Sequence, residues 1–396
     1  MDEPGSDASQ RAAALARGAE ESLPAGGLEA KLSAAAREGR PLRVKLGIDP
    51  TAPDIHLGHV VVLDKLRDFQ DAGHVVVLIV GDYTARVGDP SGQSSTRPVL
   101  SGEEIDANAQ TFQDQAFRVL DRERVEVRRN GEWLDMPVED LFALARTTTV
   151  AQILERDDFA MRFAAREPIS VLELLYPLLQ GYDSVAVRSD VELGGTDQKF
   201  NLLLGRDVQR AHGLPEQVAL TMPILPGTDG VQRMSKSTGN YIGVTEPPEE
   251  IYGKTMSIPD AAMATWYRLL LREEPDPALS PRDQKRLLAR KLVGRFHGEP
   301  AEEAAEAHFD RVHVAREIPD EIEESTFAAD DGAVHLPGVL EDVFGLSRSE
   351  ARRLISQGGV RLDGEAVGDQ DVPAERLDGA VLQVGKRRFR RLRRAG

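Results

Sequence analysis

The arrangement of residues 42–80 constrains the fold more than any other feature of the chain. Apolar residues alternate with polar or small ones over residues 42–48, which is the period-two pattern of a strand. Val62, Leu66 and Phe69 then recur at helical spacing, and Val75–Val80 is a continuous apolar run, as the buried strands of parallel sheets require. This strand–loop–helix–strand order predicts a right-handed crossover and an α/β fold built on a doubly wound parallel sheet.

The remaining segments differ in composition and predict further domains, because 396 residues exceed one ordinary domain. Ser101 with Glu104 and Ser170 with Glu173 have capping-box spacing and should each open a helix. Asn130 followed by Gly131 predicts a tight turn between two short strands. The expected domains are an N-terminal extension at 1–40, a Rossmann-like domain at 41–245 with a mostly helical insertion at about 101–190, an α-helical domain at 246–320, a linker at 321–335 and a small α+β domain at 336–396.

The composition excludes several classes of protein. The chain contains no cysteine, which excludes disulfides, cysteine nucleophiles and thiolate zinc sites. The longest apolar run is far shorter than the roughly 20 residues that a membrane-spanning helix needs. Residues 1–24 are acidic and lack the apolar core of a secretory signal. We therefore expect a cytoplasmic protein with no membrane partner.

The charge of the chain is unevenly distributed. The net charge of −17 argues against general nucleic-acid binding. Residues 336–396, however, carry 12 Lys and Arg against 9 Asp and Glu, a net of +3, which leaves −20 on residues 1–335. An acidic body with a basic C-terminal domain predicts that any nucleic acid is bound by that domain.

A short motif with two histidines lies between the first strand and the following helix. His56-Leu57-Gly58-His59 occupies the position where backbone N–H groups and the helix dipole attract anions. Both imidazoles lie on one helical face and can donate hydrogen bonds to phosphate oxygens, while Gly58 leaves room for a flat base. The alternative is two capping or core histidines beside a packing glycine, and the position directly after a strand favours phosphate binding.

A second motif, Arg233-Met234-Ser235-Lys236-Ser237, lies in a glycine-rich loop over residues 227–243. Two cations on a loop suit a clamp that closes on a polyphosphate and opens afterwards. In isolation such a segment would be read as a solvated basic turn. The histidine motif earlier in the chain favours the clamp.

Together the two motifs resemble the HIGH and KMSKS signatures of class I aminoacyl-tRNA synthetases. The segments GIDPTAPDIHLGH, GDPSG, YPLLQGYD and GGTDQ, which begin at Gly47, Gly88, Tyr176 and Gly194, are similar to those of bacterial tyrosyl-tRNA synthetases. The resemblance covers the chain from about residue 42 to residue 394. Arg233 stands where the KMSKS signature has its first lysine, which keeps the charge but changes the hydrogen-bonding geometry.

The resemblance implies a ligase that forms a carbon–oxygen bond in two steps. The tyrosine carboxylate attacks the α-phosphate of ATP, giving tyrosyl-adenylate and pyrophosphate, and the tyrosyl group is then transferred to the 3′ end of tRNA(Tyr). ATP is expected as a substrate with Mg²⁺ carried by its phosphates, and no protein-bound metal or organic cofactor is expected. The implied catalytic residues are His56, His59, Arg233 and Lys236. The implied ATP-binding residues are Gly47, Asp49, Thr51, His56, Gly58, His59, Asp197 and Lys236.

A helix after residue 170 carries the implied amino-acid pocket. Tyr176, Gln180 and Asp183 fall at i, i+4 and i+7, so one helix face presents all three. By resemblance, Tyr176, Gln180 and Asp89 hold the substrate ammonium group, Asp183 accepts a hydrogen bond from the phenol, and Gln198 serves the carboxylate and ribose together with Asp197. The implied tyrosine-binding residues are Asp89, Tyr176, Gln180, Asp183 and Gln198.

One position departs from the pattern of many family members. They have a second phenol-contacting tyrosine on the first strand, and this chain has Lys45 there. Lys45 shares its strand face with Gly47 and Asp49, which suggests that it points into the cleft. A subgroup of the bacterial enzymes also has lysine at this position. We therefore expect Asp183 to recognise the phenol without a tyrosine partner.

The C-terminal domain resembles the small RNA-binding domain shared with ribosomal protein S-four. Cations at Arg348 and Arg352 follow one helix face, opposite Ala351, Leu354 and Ile355, and such a face suits contact with tRNA phosphates. The alternative for the basic end of the chain is a solvated tail. The implied RNA-binding residues are Arg348, Arg352, Arg353, Lys386, Arg387 and Arg388.

The implied partners are L-tyrosine, ATP, tRNA(Tyr) and a second copy of the chain, with the inserted segment forming the homodimer interface. Three other readings compete with this one. A related nucleotidyltransferase is disfavoured by the Arg233–Ser237 motif, and an idle RNA-binding paralogue is disfavoured by the intact His56, His59 and Lys236. A synthetase for another amino acid, with tryptophan the nearest, is opposed by Asp183.

Overall fold

The computed structural model describes residues 4–50, 54–90, 101–314, 322–329, 332–385 and 388–395. The chain divides into two compact units, Met1–Gly298 and Glu299–Gly396. In the described residues, no helix combines the length and the apolar character needed to cross a membrane.

A six-stranded sheet is the centre of the first unit. Its strands are β1 (Glu21–Leu23), β2 (Arg43–Ile48), β3 (Val75–Val80), β4 (Val125–Arg129), β5 (Val191–Gly195) and β6 (Val218–Met222). Their order is β1-β6-β5-β2-β3-β4, with β1 antiparallel to β6 and every other neighbouring pair parallel. The prediction of a doubly wound parallel sheet is confirmed. The order reverses between β2 and β5, which opens a crevice at their carboxyl ends.

Helices cover the sheet and form the segment between β4 and β5. They are α1 (Pro4–Ala16), α2 (Gly27–Glu38), α3 (Leu57–Asp71), α4 (Gly102–Ala116), α5 (Gly131–Leu134), α6 (Val138–Ala145), α7 (Val150–Ile153), α8 (Asp157–Ala164), α9 (Val171–Ala186), α10 (Lys199–Ala211), α11 (Pro248–Ser257), α12 (Met263–Trp266) and α13 (Pro281–His297).

Local sequence signals account for the start of several helices. Capping boxes at Ser101 and Ser170 open α4 and α9, as the spacing predicts. The periodic residues Leu66 and Phe69 of α3 are completely buried, and every residue of β3 after Val75 is buried. Burial of this helix face and this strand fixes α3 against the sheet, and with it the position of the histidine motif at the start of α3.

Two expectations about the first unit are corrected. Asn130-Gly131 does not join two strands: β4 precedes it, but Gly131 begins the short helix α5, because the Asn130 side chain is used in tertiary hydrogen bonds to Tyr83 and Thr84. The insertion predicted at about 101–190 is not wholly separate from the sheet, since β4 lies within it and forms the sheet edge. The N-terminal extension likewise contributes β1 to the opposite edge.

The second unit contains a five-stranded sheet of order β10-β9-β12-β13-β7 and a two-stranded sheet of β11 and β8. The strands are β7 (Glu324–Phe327), β8 (Ala333–His335), β9 (Val360–Leu362), β10 (Glu365–Ala366), β11 (Asp371–Pro373), β12 (Val381–Val384) and β13 (Arg388–Arg394), and the helices are α14 (Glu299–Phe309), α15 (Leu336–Phe344), α16 (Arg348–Ser356) and α17 (Ala374–Leu377).

The boundaries of the second unit differ from those expected. The structure places the division after Gly298, within the helical domain predicted at 246–320. The linker predicted at 321–335 contains β7, which pairs in parallel with β13 and buries Phe327 in the core of this unit. The segment is rich in acidic residues, which predicts a linker. Its strand forms only by pairing with β13, which lies more than 60 residues further along the chain.

Candidate functional site

A cleft of about 740 Å³ lies at the crevice between β2 and β5. The predicted catalytic, ATP-binding and tyrosine-binding residues meet there, except Thr51, which lies outside the described residues. The predicted residues that line it are Gly47, Asp49, His56, Gly58, His59, Asp89, Tyr176, Gln180, Asp183, Asp197, Gln198, Arg233 and Lys236.

The histidine motif caps the N-terminus of α3. The Nδ1 atom of His56 accepts a hydrogen bond from the Gly58 N–H (3.2 Å), and the Nδ1 atom of His59 accepts one from the His56 N–H (3.2 Å). The two rings are stacked with centroids 3.9 Å apart. A β-carbon at Gly58 would lie only 3.0 Å from the His56 ring, which explains the glycine between them.

Both histidines are neutral in this setting. Burial lowers the pKa of His59 to about 4, and nearby Arg233 adds to the effect. Burial also lowers the pKa of His56 well below its usual value, with contributions from His59 and Arg233. Since each Nδ1 accepts a backbone hydrogen bond, the neutral ring carries its proton on Nε2. Each ring therefore has an Nε2–H donor for an anionic ligand at the positive end of the helix dipole.

The two cations of the Arg233–Ser237 segment are paired with carboxylates at the cleft. Arg233 donates to Asp197 (2.7 Å), and Lys236 donates to Asp54 (2.8 Å). The Asn240 side chain supports the segment by accepting from the Ser235 N–H (2.8 Å). Both ion pairs are partly exposed, so they are weak enough to exchange for the oxygens of a polyphosphate.

A cluster of buried acids and their partners forms the inner end of the cleft. Tyr176 donates its hydroxyl proton to Asp49 (2.9 Å), and Thr84 donates to the other oxygen of Asp49 (2.7 Å). Burial raises the pKa of Asp49 to about 7, and the charges of Asp89 and Asp183 add to the increase. With its proton committed to Asp49, the Tyr176 oxygen can accept a hydrogen bond from a ligand.

Asp183 is almost fully buried and receives two hydrogen bonds from the protein. Trp133 Nε1 donates to one carboxylate oxygen (2.8 Å), and Asn130 Nδ2 contacts the other at 3.5 Å. Burial raises the pKa of Asp183 to about 6, against the stabilising charge of Lys45 and these hydrogen bonds. At neutral pH this side chain is an ionised acceptor with room for a further donor.

The remaining polar residues form a chain of hydrogen bonds along the cleft. Gln198 donates to Asp89 (2.9 Å), and Asn201 donates to both Gln198 (3.1 Å) and Gln180 (3.0 Å). Together, Asp89, Tyr176 and Gln180 present oxygen atoms to the cleft, an arrangement that suits an ammonium group.

Lys45 does not line the cleft, although its strand face suggested that it would. Its side chain is completely buried and forms an ion pair with Glu192 (2.9 Å). Five functional candidates had no sequence signal that separated them from ordinary polar residues: Asp54, Asn130, Trp133, Glu192 and Asn201. Asn130 was interpreted as a turn residue, and the others are recognised only once distant segments are brought together.

The predicted RNA-binding residues that the structure describes are divided between α16 and β13. Arg352 and Arg353 are exposed on α16, whose opposite face buries Ala351 and Ile355 as predicted. The third cation of α16, Arg348, is paired with Glu341 (2.6 Å). Arg388 on β13 stacks over the Phe344 ring at 5.1 Å, and Lys386 and Arg387 lie outside the described residues. In the part of the chain that the structure describes, no group of three His, Asp or Glu side chains is arranged to hold a metal ion.

Comparisons with known proteins agree with this fold and site. Residues 37–313 match the family of tRNA synthetases class I (W and Y), and residues 343–375 match the S4 domain. The chain therefore belongs to the class I tRNA synthetases, in the group that comprises the tryptophan and tyrosine enzymes.

Within that group, relatives with about half of their residues identical to this chain are tyrosine–tRNA ligases. The ligase of Moorella thermoacetica is 53% identical over 96% of this chain and 94% of its own length. That of Thermotoga maritima is 52% identical over 90% of this chain and 91% of its own. Among solved structures, the tyrosyl-tRNA synthetase of Archaeoglobus fulgidus complexed with L-tyrosine is 26% identical and has a TM-score of 0.59, covering 76% of this chain and 99% of the other.

Proposed function

We propose that this protein is a tyrosine–tRNA ligase that forms tyrosyl-adenylate from tyrosine and ATP and then charges tRNA(Tyr). The observation that carries the proposal is the buried, ionised Asp183 at the inner end of a cleft whose outer part holds the capped histidine pair. The names of the relatives support the same choice of amino acid. Because translation takes place in the cytoplasm, a cytoplasmic location is part of the proposal.

The first step follows from the positions of the side chains. An oxygen of the tyrosine carboxylate attacks the α-phosphorus of ATP, the bond between that phosphorus and the bridging oxygen breaks, and pyrophosphate leaves. The Nε2–H groups of His56 and His59 donate to phosphate oxygens as charge develops on them. Lys236 and Arg233 exchange Asp54 and Asp197 for the leaving pyrophosphate. ATP would carry Mg²⁺ on its phosphates, where the ion would neutralise part of their charge.

Tyrosine lies with its phenol against Asp183 and its ammonium group among Asp89, Tyr176 and Gln180. A ligand without the hydroxyl leaves the buried Asp183 carboxylate with its two protein donors but without the further donor that the phenol supplies, which disfavours phenylalanine. Because both ends of the substrate are held, the carboxylate is directed toward the histidine pair at the start of α3. Positioning of the two reactants accounts for much of the rate enhancement.

The second step requires the 3′ end of tRNA to reach the adenylate. The exposed Arg352 and Arg353 of α16 provide cations for tRNA phosphates, in agreement with the S4 domain match. The terminal ribose hydroxyl then attacks the tyrosyl carbonyl carbon, and AMP leaves with the bonding electrons.

The protein is proposed to act as a homodimer through the segment between β4 and β5. Five large apolar residues on α6, α8 and α9 are more than half exposed: Val138, Phe142, Met161, Phe163 and Val171. Such side chains on a monomer indicate an interaction surface. Sedimentation of the wild type should give the mass of a dimer, and Phe163→Asp with Val171→Asp should shift it toward monomer. Val312→Asp, an exposed apolar site elsewhere, is the control that should remain dimeric.

Tryptophan is the competing substrate, because the matched family contains both enzymes. ATP–pyrophosphate exchange across the twenty amino acids separates the two. Exchange that depends on tyrosine supports the proposal, and exchange with tryptophan alone contradicts it.

A further inference from the structure

A buried ion pair lies directly beneath the amino-acid pocket. Lys45 on β2 and Glu192 on β5 are cross-strand partners in the parallel register, at the point where the strand order reverses. Their charged atoms are 2.9 Å apart, and the side chains are 0% and 1% exposed. Neither residue is among those that line the cleft.

All three protons of the Lys45 ammonium group have acceptors. Besides Glu192, Lys45 Nζ donates to Ser184 Oγ (2.7 Å) and to the Gln180 carbonyl oxygen (3.1 Å). The second oxygen of Glu192 accepts from Ser184 Oγ (3.1 Å) and from Gln217 Nε2. The pair is therefore fully hydrogen-bonded, as a buried ion pair must be to persist.

Glu192 also determines the orientation of one residue in the cleft. Gln180 Nε2 donates to Glu192 Oε1 (3.2 Å), and an ionised carboxylate can only accept. The Gln180 amide must therefore turn its nitrogen toward Glu192 and its oxygen the other way, where Asn201 donates to that oxygen (3.0 Å). An amide oxygen has two acceptor sites, so Gln180 Oε1 can also accept from a ligand.

We propose that Lys45 and Glu192 are positioning residues that direct the Gln180 oxygen toward the α-ammonium group of the amino-acid substrate. The carboxylate fixes the rotation of the Gln180 amide, and Lys45 compensates the charge of that carboxylate in a buried site while holding the Gln180 backbone through its carbonyl. This inference rests on the proposed function, because it specifies how the tyrosine pocket of that enzyme is ordered.

The test compares two competitive inhibitors in Glu192→Gln. Tyramine retains the ammonium group and the phenol, whereas 3-(4-hydroxyphenyl)propionate retains the phenol but has no ammonium group. A neutral amide at 192 can donate as well as accept, which allows Gln180 to turn its nitrogen toward the ligand. We expect the inhibition constant for tyramine to rise about tenfold, as for a lost hydrogen bond to a charged group, while that for the propionate changes less than about twofold.

The control is Glu126→Gln, which makes the same change on β4 at a partly exposed ion pair with Arg43, away from the cleft. Both inhibition constants should stay at their wild-type values. Ser184→Ala removes one hydroxyl from the network without removing a charge, and it tests the same pattern if Glu192→Gln does not fold. There we expect a rise of about threefold for tyramine alone.

Equal shifts for the two inhibitors, or no shift for either, would overturn the positioning role, because a purely structural ion pair does not distinguish ligands by their ammonium group. Failure of the proposed function has a different signature. In that case the wild-type protein itself would show no tyrosine-dependent ATP–pyrophosphate exchange.

Discussion

Burial sets the charges of the individual residues that face the substrates. The pKa values of Asp49 and Asp183 rise to about 7 and about 6, while that of His59 falls to about 4. At pH 7 the histidines are therefore neutral donors, Asp183 is mostly ionised, and Asp49 is close to half protonated. The cleft meets phosphates with hydrogen-bond donors, and full positive charge comes from Arg233 and Lys236.

The raised pKa values predict how activity depends on pH. As the pH falls through about 6, Asp183 takes up a proton and no longer presents an ionised acceptor to the phenol. His59 stays neutral over this range, because its pKa lies near 4. We expect kcat/KM for tyrosine in ATP–pyrophosphate exchange to fall to about half near pH 6 and to decrease further between about pH 6 and pH 5. A flat profile down to pH 5, with the protein still folded by its melting curve, would contradict the assignment.

Replacing the phenol acceptor should change selectivity. Asp183→Ala removes the carboxylate and leaves the Trp133 donor unpaired. We expect kcat/KM for tyrosine to fall by about 10- to 100-fold, the value of a buried hydrogen bond to a charged group, and kcat/KM for phenylalanine to change much less. Exchange assays with both amino acids measure the ratio. Asp71→Asn on the exposed end of α3 is the control, and an unaltered ratio in Asp183→Ala would refute the role.

The histidine pair should act on the chemical step. His59→Ala removes a donor at the start of α3, far from the phenol site, so tyrosine affinity should remain close to that of the wild type. We expect the single-turnover rate of adenylate formation to fall by about 100-fold or more, in the range seen when one preorganised donor is removed. The exposed His308 on α14 offers a matched control in His308→Ala. Equal rates for wild type and His59→Ala would exclude the proposed contact.

At the level of elements, the signals carried by short segments predicted the fold well. The continuous apolar run gave β3 with its observed bounds, and the capping boxes gave the starts of α4 and α9. Strands β1 and β7 were missed because they are only three and four residues long and owe their pairing to distant partners. The burial of Lys45 against Glu192 was missed for the same reason, since Glu192 lies almost 150 residues away.

The motifs also indicated which residues meet in the cleft, but not what holds them. A motif identifies the side chains of a site. It does not identify the hydrogen bonds that support them, because the partners lie on other elements. Asn130 was predicted to lie in a turn, yet its amide links Tyr83, Thr84 and Asp183. Such support depends on packing between segments, which a local pattern does not encode.

The ion pair between Lys236 and Asp54 leads to a prediction about the binding of ATP. Lys236 must leave Asp54 before it can contact pyrophosphate, and an exposed ion pair is worth about 0–1 kcal/mol. We therefore expect Asp54→Asn to lower the KM for ATP by no more than about fivefold. In a Lys236→Ala background the same substitution should have no effect, because the ion pair is already absent. A rise in the KM for ATP would show that Asp54 assists the nucleotide instead of competing with it.

For the whole molecule, the distribution of charge matters more than its sum. The net charge of −17 is the sum of −20 on residues 1–335 and +3 on residues 336–396. The structure also separates the chain into two units, with the sheet and cleft in the first and the S4 match in the second. Adenylate formation and tRNA charging should therefore respond differently to substitutions in the second unit.

Arg352→Glu with Arg353→Glu tests this separation in the full-length protein. Both side chains are exposed on α16, so the fold of the second unit should tolerate the change. Tyrosine-dependent ATP–pyrophosphate exchange takes place in the first unit and should stay within about twofold of wild type. Charging of tRNA should fall by at least about tenfold, and the remaining activity should depend less steeply on salt, because two phosphate contacts are lost.

The control reverses the charge of one arginine in the other unit. Arg37→Glu lies at the exposed end of α2 and should leave charging intact. If Arg352→Glu with Arg353→Glu charges tRNA as well as the wild type does, the cations of α16 do not bind tRNA. If exchange falls together with charging, the second unit influences adenylate formation and the two functions are not separable. Only loss of charging with exchange retained supports an acidic catalytic body that depends on a small basic unit for its RNA.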